Sequence, residues 1–330
     1  MFFKKLKKTF IFGLLSLFII PTSVFAYSEY VIPGGENIGI EINAKGVMIV
    51  GLYKVNDSYP ATDAGLQVGD MITSVDGNPV HSINEMVEKI NAGNHEYIDV
   101  EFIRGQESKM TQLKLYKDEK QVYKTGLYVK DSITGIGTLT FIDPNSKIFG
   151  ALGHEIIEKT SGQILEIRDG KIFDTEVIGV DPSSEGVPGE KNAKFYMDDV
   201  NGTIKENTNK GLFGVYTDEL PDKTLYKVAK SSDIQKGSAK ILTVLDGNTI
   251  KEYDINITKI NDNNQKIKNL MFEITDEELL QTAGGVVQGM SGSPIIQGDF
   301  IVGAVTHVVV DSPTKGYGIF ITNMLEEAEN

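Results

Sequence analysis

From about residue 127 the chain becomes a series of short apolar, β-branched runs set apart by glycine turns. They read "GIGTLTFID", "KIFGALGH", "DTEVIGVD", "GLFGVYTD", "SAKILTVLDG", "KNLMFEIT", "SPIIQGDFIVGAVTHVVV" and "GYGIFIT". Many short strands at near-regular spacing predict an all-β sandwich or barrel. The terminal "TNMLEEAEN" reads as a short helix. No internal repeat or low-complexity tract interrupts the series.

The residues before this series follow another plan. "GVMIVGLYKV" (46–55) and "YIDVEFIRG" (97–105) read as strands. "HSINEMVEKINAGN" reads as one helix. Ser82 and Glu85 make a capping box, Ile83, Met86, Val87 and Ile90 share an apolar face, and Gly93 is placed to stop it. Between them, "SYPATDAGLQVGDMITSVDGNPV" is punctuated by Gly65, Gly69 and Gly77, with "DGN" as a turn between strands. The charged "YKDEKQVYKTG" (116–126) lacks an apolar pattern and is expected to hold a domain boundary. Residues 1–26 stand apart. Lys4, Lys5, Lys7 and Lys8 precede an apolar run from Phe10 to Ile20 and a small-residue site at Val24-Phe25-Ala26. That is the layout of a secretory signal, either cleaved or kept as an N-terminal anchor. The run is shorter than the ~20 residues of a membrane span. The expected organisation is a signal or anchor over 1–26, an α+β domain over 27–118 and a β domain over 119–330.

The 330 residues carry a formal net charge of −14, and taking away the four leader lysines leaves −18. So acidic a chain is unsuited to nucleic acid or to adhesion on anionic lipid. There is no cysteine. An exported protein of this kind relies on its core alone for stability, and a cysteine nucleophile is excluded.

"GMSGSP" (289–294) sets a serine among glycines near the end of the chain. Two readings of it stand: a nucleophile loop, or a small-residue turn between strands. A serine nucleophile needs a base, most often histidine, and the chain has four: His81, His95, His154 and His307. His81 and His95 fall at a helix start and a turn of the first region, which leaves His154 and His307. "HEIIE" from His154 lacks the second histidine of a zinc helix, so no metal site and no cofactor are expected. Ser293 stands where the α/β-hydrolase elbow needs its second glycine. In the catalytic reading, Gly289 lets the amides of Gly289 and Ser291 converge on an oxyanion. Gly292 leaves room for an acyl group and Pro294 fixes the exit. His154 directly follows a strand-like segment and comes before Ser291 in the chain.

Two family resemblances gather these motifs. "ATDAGLQVGDMITSVDGNPV" resembles the core signature of a PDZ domain, and "GGENIGIEI" its carboxylate-binding loop. This implies a groove that takes an extended peptide as an added strand, either a partner's or the chain's own. The amides of Ile38, Gly39 and Ile40 would cap its terminal carboxylate. The plain alternative is a turn glycine with no ligand. "GIGTLTFIDP", "FGALGHEI", "GGVVQGMSGSPIIQ" and "GAVTHVVV", in that order behind the PDZ-like region, resemble the SpoIVB peptidase family of endospore-forming bacteria. That resemblance implies a mostly β protein: a PDZ domain followed by a chymotrypsin/trypsin-like two-β-barrel serine peptidase. It makes His154 the general base and Ser291 the nucleophile. It places the catalytic acid, by distance from the serine motif, at Asp276. The ordinary chymotrypsin-like order would favour Asp174, Asp181, Asp198 or Asp199, and Asp276 equally suits capping the helix-like "DEELLQ". His307, on the strand after the serine loop, either touches substrate or is structural.

Also implied are export to the space between forespore and mother cell, self-cleavage, and cleavage of a membrane-bound regulator that frees an intramembrane protease to process a sigma-factor precursor. The alternatives are a quality-control protease of the HtrA kind, whose PDZ domains follow the protease, and a catalytically idle PDZ scaffold.

Overall fold

The computed structural model describes residues 27–93, 96–261 and 267–329. The leader and His95 lie outside the described residues. After β1 (Tyr30–Pro33), one strand, β2, runs from Asn37 to Leu52 without a break, and its two halves serve different units.

The second half of β2 opens the smaller unit. It is followed by α1 (Pro60–Asp63), β3 (Met71–Val75), α2 (Ile83–Asn91), β4 (Tyr97–Arg104) and β5 (Glu107–Lys114). β3 pairs with β2 and β4, and β4 with β5, all antiparallel. Ser82 caps α2 by accepting from Glu85 N at 3.2 Å, and the Glu85 carboxylate accepts from His81 N at 2.7 Å. Met86 and Ile90 sink into a core with Val47, Ile49, Ile72, Val100 and Leu113. Val87, on the expected apolar face, remains 48% exposed.

The larger unit begins with β6 (Leu127–Ile142), β7 (Ile148–Ala151), β8 (Ile167–Asp181), β9 (Glu190–Thr208) and β10 (Gly211–Tyr216). With the first half of β2 they close a ring in the order β2–β6–β7–β10–β9–β8–β2, every pair antiparallel. Then come β11 (Tyr226–Val228), β12 (Gly237–Thr243), β13 (Lys251–Ile260), β14 (Leu270–Ile274), α3 (Glu277–Ala283), β15 (Pro294–Gln297), β16 (Phe300–Val308), β17 (Lys315–Phe320) and α4 (Ile321–Ala328). These close a second antiparallel ring, β12–β13–β14–β17–β16–β15–β12. β1 joins the two barrels, pairing Ile32 and Pro33 with β6, and Tyr30 and Val31 with β11. Each barrel has its own core: Ile38, Ile40, Ile42, Phe149 and Ile172 in the first, Ile241, Tyr253, Phe272 and Val305 in the second. Among the described residues, full closure leaves neither ring with an open sheet edge.

The border between the units differs from the expected one. Ile38, Gly39 and Ile40 pair with Gly137, Ile136 and Gly135 on one side and with Asp174, Phe173 and Ile172 on the other. A strand with neighbours on both edges commits its amides to the two ladders. A Cβ on Gly39 would lie 2.1 Å from the Phe173 ring. These residues are a barrel strand, not a carboxylate-binding loop. The alternation of Ile38, Ile40 and Ile42 suits either setting, and burial in the barrel core decides between them. In the smaller unit, β6 takes the remaining edge of β2. Leu127, Val129 and Lys130 stand opposite Leu52, Ile49 and Met48. Asp131 then accepts from Ile83 N at the head of α2, at 2.8 Å. Both edges of β2 are thus occupied by the chain itself.

Candidate active site

β7 ends at Ala151, and Leu152 and Gly153 turn the chain with φ of +67° and +70°. A Cβ on Gly153 would lie 2.9 Å from the Thr306 methyl, so glycine lets His154 descend beside β16. The His154 Nδ1 sits 2.7 Å from the Glu155 carbonyl oxygen. A carbonyl can only accept, so Nδ1 carries the proton and Nε2 keeps its lone pair, the tautomer a general base needs. Burial pushes the His154 imidazole below its ordinary 6.5, outweighing the upward pull of the Glu155 carbonyl.

The loop that carries Ser291 rests on β6. Thr138 N donates to the Ser291 carbonyl at 2.9 Å, Thr138 Oγ1 to the Gly289 carbonyl at 2.7 Å, and Thr140 Oγ1 to the Gly292 carbonyl at 2.8 Å. Gly292 has φ +94°, and a Cβ there would meet the Thr138 carbonyl oxygen at 2.0 Å and Leu152 N at 2.5 Å. Its glycine is required for the loop to lie against the first barrel. Ser291 Oγ donates to the Thr306 carbonyl at 2.8 Å. Among the described residues the amides of Gly289 and Ser291 donate to no other group, whereas those of Met290, Gly292 and Ser293 do. Two unengaged N–H groups beside a hydroxyl are what a developing oxyanion requires.

Gly153, just before His154, thus lies against the Thr306 methyl, and the Ser291 hydroxyl donates to the Thr306 carbonyl. His307 follows directly, its ring centroid 4.9 Å from that of His154 with a 43° tilt. Its Nδ1 is buried with no hydrogen-bond partner among the described residues. Burial first, then the nearby His154 and Lys268, push His307 down to about 4, so it is neutral at neutral pH.

Asp276 does not join this group. Its Oδ1 accepts from Leu279 N at 3.0 Å and its Oδ2 from Asp254 N at 3.3 Å, which caps α3. Among the described residues no carboxylate, whether of Asp174, Asp181, Asp198 or Asp199, is hydrogen-bonded to His154. A main-chain carbonyl orients the ring instead.

Sequence reasoning missed four supporting residues. Thr138 and Thr140 had a signal: hydroxyls two apart in the otherwise apolar end of β6, "GTLTFI", hence on one face. Asn37 and Lys191 had none. Lys191 is 4% exposed and donates from Nζ to Thr243 Oγ1 at 2.9 Å and Asn37 Oδ1 at 3.4 Å. Burial lowers it to about 7.

A serine and a histidine brought together by two closed barrels, behind a small α+β unit, define a serine peptidase with a PDZ domain. A family model described as SpoIVB peptidase S55 matches residues 121–325, and one for the PDZ domain matches 37–115. The chain belongs to the SpoIVB peptidase S55 family. No curated protein matches it significantly. Among solved structures, the PDZ domain of the SdrC-like protein (Lmo2051) from Listeria monocytogenes is 27% identical, with 27% of this chain and 90% of that one covered and a TM-score of 0.23. The active form of the Rv3671c protease from M. tuberculosis is 15% identical, with 60% of this chain and 74% of that one covered and a TM-score of 0.31.

Proposed function

We propose that this peptidase is exported and acts in sporulation signalling, with Ser291 as nucleophile and His154 as general base. Ser291 attacks the scissile carbonyl, and His154 Nε2 takes its proton and returns it to the leaving amine. The amides of Gly289 and Ser291 receive the oxyanion. The substrates are the chain itself and a membrane-bound regulator, whose cleavage frees an intramembrane protease to process a sigma-factor precursor. The site of action is the space between forespore and mother cell, near the membrane.

Family membership supports the setting, and the basic, then apolar, leader supports export. The observation that carries the chemistry is the Ser291 hydroxyl on the Thr306 carbonyl, next to two unengaged amides, with Gly153 packed on the same threonine and the His154 ring against that of His307. The purified full chain should take up a fluorophosphonate probe at Ser291. S291A should neither take it up nor process itself. Self-processing by S291A at the native rate would refute the assignment. Equal activity on generic unfolded casein and on the regulator would refute a signalling role.

A further inference from the structure

The chemistry above leaves one buried amine unused. Lys191 lies on β9 and, among the described residues, faces no carboxylate; burial lowers its titration. An ammonium buried without a counter-charge is expensive, and a methionine would fill the same stem space without that cost. What the amine does is span the seam between barrels. Thr243 Oγ1 belongs to β12 of the second barrel and Asn37 Oδ1 to β2 of the first. Asn37 is itself fixed. Its Nδ2 donates to Thr175 Oγ1 at 2.7 Å, and Thr175 Oγ1 donates to the Asn37 carbonyl at 3.0 Å. The amide oxygen left facing Lys191 can only accept.

The rest of the residue supports the nucleophile loop. A Cβ on Gly289 would meet Lys191 Cδ at 3.1 Å and its Cβ and Cγ at 3.3 Å, so the glycine lies directly on the lysine stem. Lys191 N donates to the Gln288 carbonyl at 3.0 Å, and Gln288 N donates to the Gly189 carbonyl at 2.8 Å. Residues 189–191 thus frame the peptide unit that presents the Gly289 N–H.

We propose that Lys191 is a positioning residue of the oxyanion hole: it fixes the Gln288–Gly289 peptide at the barrel seam and, as an ammonium, sets a positive charge behind the amides that receive the oxyanion. This role deepens the reading of Ser291 as nucleophile and rests on it. The groups facing the amine are Asn37 from β2, Thr243 from β12 and, behind Asn37, Thr175 from β8. None of them titrates. Attack by Ser291 needs His154 unprotonated and is favoured by Lys191 protonated. The rate therefore rises with pH through the His154 titration, below 6.5, and falls again through that of Lys191, about 7.

The test is the rate of Ser291 labelling by a fluorophosphonate probe as a function of pH, with thermal melting alongside. Wild type should give a bell with its alkaline side near 7, and S291A no labelling. K191M should melt higher than wild type, because the buried amine is gone. It should nonetheless label at least about tenfold more slowly at the bell maximum and lose the alkaline side. N37D sets a carboxylate beside the amine and should move the alkaline side up by about one unit or more. A K191M protein with the wild-type rate and profile overturns the proposal. If K191M does not fold, N37D decides, and an unmoved alkaline side overturns it. A wild type that never labels at Ser291 overturns the nucleophile reading first and this one with it.

Discussion

Ser291 donates its hydroxyl proton to the main-chain carbonyl of Thr306 at 2.8 Å, not to His154. His154, the proposed base, is already set, with Nδ1–H on the Glu155 carbonyl and Nε2 open. The proposed nucleophile and base are thus each hydrogen-bonded to a main-chain carbonyl and not to one another. Catalytic hydrogen bonds commonly tighten only when substrate is bound. The bond to Thr306 is one ordinary hydrogen bond, so S291A should cost no more than about 1.5 kcal/mol and melt close to wild type. Peptide hydrolysis should fall by orders of magnitude. Melting and turnover measured on one preparation separate the two. A large loss of stability with proportionate residual activity would make the hydroxyl structural.

Asp276 gives a sharper contrast. Both carboxylate oxygens are committed to main-chain amides, those of Leu279 and Asp254. As an N-cap, its replacement by alanine should cost about 1 kcal/mol, and asparagine, which caps as well, should cost almost nothing. Neither should change the pH dependence of turnover beyond what lost stability explains. An acid that holds the catalytic imidazole behaves otherwise: converting it to the amide removes about 10⁴ in kcat. Kinetics of D276N therefore decide the matter. A collapse of kcat with an intact melting curve would mean that Asp276 reaches His154 in the working enzyme.

Thr138 ties the first barrel to the loop that carries the nucleophile, and it is fully buried. T138V keeps the shape and leaves the Gly289 carbonyl without that donor. An abandoned buried acceptor costs about 1–3 kcal/mol. Because that carbonyl lies within the oxyanion loop, kcat/KM should also fall, by roughly 10-fold to 100-fold, through misplacement of the donors. T140V abandons the Gly292 carbonyl, one residue past the nucleophile, and should lose similar stability with less activity. Equal kcat/KM for T138V and wild type would remove Thr138 from the support of the loop.

These residues also mark how far the sequence could be read. The strands after residue 127 were legible because their apolar alternation and glycine punctuation are local signals, and so was the helix capped by Ser82 and Glu85. Ser291 and His154 could be proposed as a pair from the sequence because few histidines compete. Ile38 to Ile40 misled because a strand's alternation does not say which sheet it joins. Only the pairing with residues 135–137 and 172–174 settles that. Asp276 misled because its distance along the chain from Ser291 says nothing about which amides its oxygens meet. Lys191 was invisible for a related reason: it stands in a charged stretch, "GEKNAK", and nothing there announces a buried amine.

His307 links the site to stability against pH. Its folded-state value is pushed to about 4 by burial, then by His154 and Lys268, while an unfolded histidine titrates near 6.5. Between those values the unfolded chain binds a proton that the folded chain does not, so stability rises with pH. It is complete above about 6.5 and is lost progressively as pH falls toward 4. His154, also lowered by burial, adds to the slope with the same sign. Lys191, at about 7, is protonated in both states over most of this window and adds little. H307Q keeps an amide donor and acceptor but cannot titrate. Its melting temperature should fall less steeply than that of wild type between neutral pH and pH 4, with the His154 share remaining. Urea or thermal unfolding across that range measures the slopes, and parallel curves for the two proteins would exclude His307 as their source.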